Sequence, residues 1–170
     1  IDLDIPRIVP RDNFADRQAL AGESGQVSFS NVDATREPGE PRHAGKRSNQ
    51  SVWFSYVAPA PGIVTVETVG ANFDTLLAVY QGDALGTLSS VTSDEDRGGF
   101  LTSSVRFRAE ADQEYIIVVD GFNRNQGTAI LTWTLDRTRT INVPRFTVQP
   151  AETVARRGSN ITLSATFCLL

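Results

Sequence analysis

The sequence predicts an all-β protein built as an antiparallel β-sandwich. Three observations lead to this fold class. Apolar and polar residues alternate with a period of two in about seven short runs. β-Branched and aromatic residues dominate these runs, as is typical of strands. Gly, Pro, Asn and Asp separate the runs at short intervals, which favours a sandwich with tight turns over a fold with helical connections.

The elements follow one another from the N-terminus. Prolines make residues 1–10 an extended arm, because proline fixes its own φ and restricts the residue before it. A short helix is expected next, with Asn13 as its N-cap and Phe14 and Leu20 among its apolar residues. The predicted strands lie at residues 27–30, 52–57, 63–69, 76–80, 105–107, 115–119 and 129–135.

The amino-acid composition of the chain changes after the last of these strands. Residues 136–143 are polar and end before Pro144, so they are interpreted as a linker. Residues 144–170 then show two further strand patterns. Two strands cannot bury a core of their own, so we expect this tail to pack against another surface.

The composition argues against several classes of function. The net charge is −4, which argues against a nucleic-acid partner. No apolar run is long enough to predict a membrane-spanning helix. The chain has one Cys, Cys168, expected to be a buried hydrophobe, and one His, His43, expected to order its Pro/Gly-rich loop. With so little catalytic material we expect no enzyme, and a start at Ile1 without any Met indicates a processed protein or a segment of a longer one.

Several motifs occur in a fixed order between residues 11 and 135. They are residues 12–16, residues 37–45 followed by Ser51–Phe54, residues 73–80, the acidic turn 93–96, and residues 115–122. Together they resemble the bacterial pre-peptidase C-terminal domain family. The resemblance implies a jelly-roll type of β-sandwich that serves as a non-catalytic module in secreted, multidomain bacterial proteins.

The tail carries a second resemblance. Residues 144–150, followed by Val154, Gly158, Ser159 and residues 161–163, are similar to the opening of a bacterial immunoglobulin-like domain. The family would continue with a core Trp and further strands beyond the 27 residues seen here. Residues 144–170 are therefore expected to be an incomplete immunoglobulin-like strand pair.

The first resemblance also implies calcium. Some related collagen-binding modules hold the ion between the segment before the first strand and an early loop with two acids three residues apart. The matching positions here are Asp12, Asn13, Glu37 and Glu40. The alternative for both glutamates is exposure to solvent or pairing with Arg36 and Arg42.

A second acidic cluster offers another set of oxygen ligands. Asp94 and Asp96 lie in one turn, and Asp74 precedes a predicted strand. The spacing is not that of an EF-hand loop, and a polar turn explains it equally well. Trp53 and Trp133 lie in alternating strand patterns and are expected in the core. Phe100 lies in a predicted turn and is expected to be exposed.

The function that these observations favour is a binding or spacer module of a secreted or cell-surface protein. Its partners would be neighbouring domains, a surface polysaccharide or a fibrous protein. The alternative is a structural subunit of an extracellular assembly, in which identical subunits join by strand addition through their terminal segments. In that case the tail would bury the apolar side chains of Ile161, Leu163, Phe167, Leu169 and Leu170.

Overall fold

The structure is a computed structural model that describes residues 11–46 and 49–139. Within these residues, nine strands form two sheets. The strands are β1 (Gln18–Leu20), β2 (Ser24–Ser30), β3 (Val52–Val57), β4 (Gly62–Val69), β5 (Thr75–Gln81), β6 (Ser89–Asp94), β7 (Ser104–Ala109), β8 (Glu114–Gly121) and β9 (Thr128–Asp136).

The two sheets pack as a sandwich, which confirms the predicted all-β fold. One sheet has five strands in the order β1-β3-β8-β5-β6, and the other has four in the order β2-β9-β4-β7. Every pair is antiparallel except β1 with β3. This parallel pair corrects the expectation of purely antiparallel pairing. It arises because the chain crosses to the other sheet in β2 before it returns to β3.

The predicted N-terminal helix is wrong. Residues Phe14–Asp16 form a single 3₁₀ turn, and Asn13 makes no side-chain cap to it. Arg17 then leaves helical geometry with a φ of −55° and a ψ of 138°. The chain continues into β1, where Leu20 pairs with Tyr56.

Side chains from both sheets form the main core. All seven predicted strands are present, and their alternation decides which residues face inward. Trp133 is 6% exposed and packs between the sheets, as predicted. Trp53 is fully buried too, but it belongs to a second apolar cluster, described below, on the opposite side of its sheet.

Part of the predicted organisation lies outside the described residues. Strand β9 ends at Asp136, and a 3₁₀ turn covers Arg137–Arg139. The arm 1–10, residues 140–143 of the predicted linker and the tail 144–170 are not described, and neither are the proposed assembly residues of the tail. In the described part of the chain, no helix is long and apolar enough to cross a membrane.

Gly25 allows the close packing of Trp133, which it faces across β2 and β9. A Cβ atom at Gly25 would lie 2.3 Å from Cζ2 of the indole. We expect Gly25→Ala to lower the free energy of unfolding by about 1–3 kcal/mol, because the buried ring has to shift. Gly86→Ala is the control, since its Cβ would meet nothing within 4 Å. Urea unfolding measures both, and equal stabilities would contradict this account.

Candidate functional site

The outer face of the five-stranded sheet is apolar. Trp53, Ala78, Tyr80, Ile116 and Val118 point away from the main core and are nevertheless buried. Strands with apolar residues on both faces need cover on both sides. The main core covers one side, so another part of the chain has to cover the other.

The cap loop, defined as residues 31–46, supplies this cover together with the N-terminal segment. The His43 ring lies 5.4 Å from the Trp53 ring and 5.8 Å from the Tyr80 ring, both edge-on. The Phe14 ring contacts Trp53 from the N-terminal segment at 5.4 Å. A 3₁₀ turn at His43–Gly45 directs the histidine inward, with Ala44 in the left-handed region at a φ of 47°.

His43 is the centre of a buried hydrogen-bonded chain. Its Nε2 atom lies 2.8 Å from Oε1 of Glu40, and its Nδ1 atom lies 3.0 Å from the Tyr80 hydroxyl. The neutral tautomer that satisfies both contacts donates from Nε2 to Glu40 and accepts the Tyr80 proton at Nδ1. The imidazole is 1% exposed and Glu40 is 5% exposed, so this chain is closed to solvent.

Asp120, the penultimate residue of β8, lies beside Glu40 and His43. Its Oδ1 atom accepts hydrogen bonds from the backbone N–H groups of Gln50 at 3.0 Å and Gly121 at 2.7 Å. Ligand atoms of Glu40, His43 and Asp120 all lie within 4.8 Å of one another. We call Glu40, His43, Tyr80 and Asp120 the His43 cluster.

The environment of the His43 cluster changes the pKa of Tyr80. Burial, followed by the charges of Glu40 and Asp120, raises the pKa of Tyr80 to about 12. The phenol therefore stays protonated near neutral pH and serves as a hydrogen-bonding group. Among the described residues, no Ser or Thr hydroxyl hydrogen-bonds to His43. The arrangement does not resemble a nucleophile activated by a base, and it favours the loop-ordering role expected for His43.

The structure brings together the two segments of the predicted calcium site. Asp12 accepts hydrogen bonds from Thr35, with its Oδ1 atom 2.5 Å from the backbone nitrogen. Glu37 accepts one from the Phe14 N–H at 2.5 Å through Oε2. These contacts tie the cap loop to the residues before β1.

The predicted ligands are engaged with protein donors. Glu40 accepts from the Glu37 N–H at 2.9 Å as well as from His43, and the Asn13 amide donates to Asp16 at 3.1 Å. Arg36 donates to the backbone carbonyl of Glu40. Among the described residues, these positions do not form a trio of acids with ligand atoms within 4.8 Å. The set fits a calcium site in part, and calcium stays a prediction.

The alternative set lies at the start of β5 and in the turn after β6. Asp94 ends β6 and caps the following turn, where Oδ2 accepts from the N–H groups of Arg97 at 2.8 Å and Ser104 at 3.0 Å. Burial, followed by the charges of Asp96 and Glu95, raises the pKa of Asp74. The described part of the chain does not place Asp74, Asp94 and Asp96 within common ligand distance. Phe100, in the same turn, is 92% exposed, as predicted.

Sequence reasoning missed two members of the His43 cluster. Tyr80 and Asp120 come from strands that are neighbours only after β5 and β8 pair, with Leu76 opposite Asp120. The available signal for Asp120 is an acidic residue directly after the apolar run of residues 115–119. Such a residue at a strand end is either solvated or held by specific donors, and here it is 1% exposed.

Comparisons with known proteins find solved structures of low similarity to this chain. No protein-family model and no curated protein matches the chain. A periplasmic inhibitor of g-type lysozyme, PliG from Aeromonas hydrophila, is 15% identical over 71% of this chain and 96% of that one, with a TM-score of 0.46. The pre-peptidase C-terminal domain of a Bacillus anthracis collagenase is 9% identical over 73% and 100%, with a TM-score of 0.45.

A third solved structure belongs to the same group of similar folds. The Yersinia pseudotuberculosis-derived mitogen is 6% identical over 67% of this chain and 86% of that one, with a TM-score of 0.42. Likeness at these identities concerns the fold alone. A pre-peptidase C-terminal domain is thus among the similar folds, and membership of that family stays a prediction.

The Tyr80 hydroxyl should stabilise the capped face. Tyr80→Phe removes the contact with His43 and a longer one with the Arg42 carbonyl at 3.4 Å, so we expect a loss of about 1–2 kcal/mol in unfolding free energy. Tyr56→Phe is the matched control. The buried Tyr56 hydroxyl has no hydrogen-bond partner among the described residues, so its removal should change stability by less than about 0.5 kcal/mol. Chemical unfolding that ranks the two variants equally would contradict this role.

Proposed function

We propose that this chain is a non-catalytic binding or spacer module of a secreted or cell-surface bacterial protein. The observation that supports this best is the contrast between the two outer faces of the sandwich. The five-stranded sheet is covered by the cap loop and the N-terminal segment. The four-stranded sheet presents polar side chains outward, as a contact surface for an extended polar partner would.

The open face, defined as the outward side of the four-stranded sheet, is organised in rows. Register places Thr134 of β9 opposite Thr65 of β4, and Thr65 opposite Arg106 of β7. The next row brings together Thr132, Glu67 and Ser104 in the same order of strands. Hydroxyl, carboxylate and guanidinium groups thus stand side by side, a pattern suited to hydrogen bonding with a hydroxylated or charged polymer.

A groove borders one end of the open face. It measures about 600 Å³ and is lined by Arg11, Phe29 and residues 128–130, among others. Arg11 is held in place by its donation to the Ser28 carbonyl at 3.4 Å and by its position 5.0 Å from the Phe54 ring centre. A fixed cation beside a polar sheet face supports the binding form of the proposal over a purely passive spacer.

Calcium remains part of the proposal. The ion would bridge the N-terminal segment and the cap loop through Asp12, Asn13, Glu37 and Glu40. Carboxylate and amide oxygens are suitable ligands for it. Binding would require Asp12 and Glu37 to exchange Thr35 and Phe14 donors for the ion.

The binding proposal is tested by retention of the chain on insoluble cellulose, chitin and fibrillar collagen. We expect retention on at least one of them. Arg106→Glu should weaken that retention by about fivefold or more, since it reverses a charge on the open face. Arg97→Glu is the control with the same change of net charge, because Arg97 is 85% exposed on the turn after β6. Retention on none of the three would leave only the spacer role. Equal effects of the two variants would show that the open face is not the binding surface.

The calcium proposal has a separate test in thermal unfolding. Adding calcium to chelator-treated protein should raise Tm by about 2–4 °C if the ion binds the folded state only. Asp12→Asn should reduce this rise, whereas magnesium should not reproduce it. An unchanged Tm on adding calcium would remove the ion from the proposal without affecting the open face.

A further inference from the structure

We infer that Glu40, His43 and Asp120 form a binding site for one divalent transition-metal ion of the zinc class. The inference does not depend on the proposed binding role of the open face. It rests on the geometry of the His43 cluster, on its burial and charge, and on a neighbouring polar atom that has no hydrogen-bond partner among the described residues.

The distances suit a metal centre. Zinc binds imidazole nitrogen and carboxylate oxygen at about 2.0–2.2 Å, which puts adjacent ligand atoms about 3.3 Å apart in a tetrahedron. The Glu40 and His43 atoms are already 2.8 Å apart, and the Asp120 oxygen completes a trio within 4.8 Å. Small side-chain shifts would therefore place all three around one ion.

Neighbouring groups already hold the side chains of His43 and Asp120 in position. Tyr80 lies 3.0 Å from Nδ1 of His43, and its hydroxyl also reaches the Arg42 carbonyl at 3.4 Å. Ion binding requires the other tautomer, in which Nδ1–H donates to Tyr80 and Tyr80 donates to Arg42. The Nε2 lone pair then takes the metal in place of the hydrogen bond to Glu40. Outer partners of this kind set the tautomer and orientation of metal-binding histidines. The Gln50 and Gly121 N–H groups hold Asp120 in the same manner.

Charge favours a cation at this position. The carboxylates of Glu40 and Asp120 are 5% and 1% exposed beside the apolar outer face of the sheet. Buried carboxylates are costly unless they are paired, hydrogen-bonded or bound to a metal. Both already accept hydrogen bonds from protein groups, and a divalent ion would add to these by compensating their charge while it joins the cap loop to the end of β8.

Gln50 is the candidate for a further ligand. The Oε1 atom of Gln50 is buried and has no hydrogen-bond partner among the described residues. Gln50 already contacts Asp120 through its backbone N–H at 3.0 Å. An amide oxygen or a water molecule would complete a four-coordinate site of one nitrogen and three oxygens, as a zinc-class ion accepts.

The donor atoms of the site also favour zinc-class ions over calcium and magnesium. Calcium and magnesium prefer oxygen ligands only, so an imidazole at the centre of the site disfavours them. Imidazole with carboxylates suits zinc, cobalt and nickel, with manganese expected to bind more weakly.

The test uses the whole chain after chelator treatment. His43 is the only histidine in the sequence, so ¹⁵N NMR of the imidazole reports on this site without any variant. We expect one zinc ion per chain by isothermal titration calorimetry and a saturable change of the His43 Nε2 signal at the same ratio. Calcium should not produce the large Nε2 shift of direct metal coordination, even where it binds the neighbouring Glu40 as proposed above.

Variants of the proposed ligands test where the ion binds. His43→Gln and Asp120→Asn should each weaken zinc affinity far more than Tyr80→Phe, which should weaken it about tenfold while the ion stays bound. Glu110→Gln is the control and should leave affinity unchanged, since Glu110 follows β7 and its carboxylate accepts from Arg108. Circular dichroism checks that each variant is folded.

Two results would overturn the inference. The first is the absence of zinc binding by the wild-type chain. The second is zinc binding that leaves the His43 signal unchanged, which would assign the ion to another place even if a variant failed to fold. Neither result would bear on polymer retention through the open face.

Discussion

The central strands of the five-stranded sheet are apolar on both faces, and the rest of the structure depends on this constraint. Residues 115–119 of β8 and residues 76–79 of β5 are buried throughout. The four-stranded sheet covers only one of these faces. Burying a large apolar side chain contributes about 1.5–3 kcal/mol, so the other face, with Trp53 and Ile116, gains enough to order a long connection across it.

A loop laid over an apolar face has to satisfy its own backbone groups. Acidic side chains do this here: Asp12, Glu37 and Glu40 each accept a hydrogen bond from a backbone N–H. This explains why acids concentrate where a family resemblance implies calcium. A metal ion and a set of internal hydrogen bonds are two ways to hold the same pair of segments together, and carboxylates serve both.

Elements that show a clear local periodicity were predictable from the sequence. Seven strands alternate clearly, whereas β1 has three residues and β6, with the sequence SSVTSD, is a polar edge strand, so neither carried a signal. The expected N-terminal helix failed because three residues of 3₁₀ turn suffice to place Phe14 on Trp53. Glu40 and His43 were identified from their loop. Tyr80 and Asp120 were not, because only the register between strands brings them to that loop.

The two outer faces can therefore serve separate purposes. The face covered by the cap loop offers a partner nothing until the loop is displaced, and displacement would break the buried contacts of His43 with Glu40 and Tyr80. The open face needs no such change, since Thr134, Glu67 and Arg106 are already exposed on paired strands. Strands give side chains a more rigid placement than loops do, which suits recognition without rearrangement. Under the proposed function, stabilisation of the fold and contact with a partner fall on opposite sides of the sandwich, so a change to one need not alter the other.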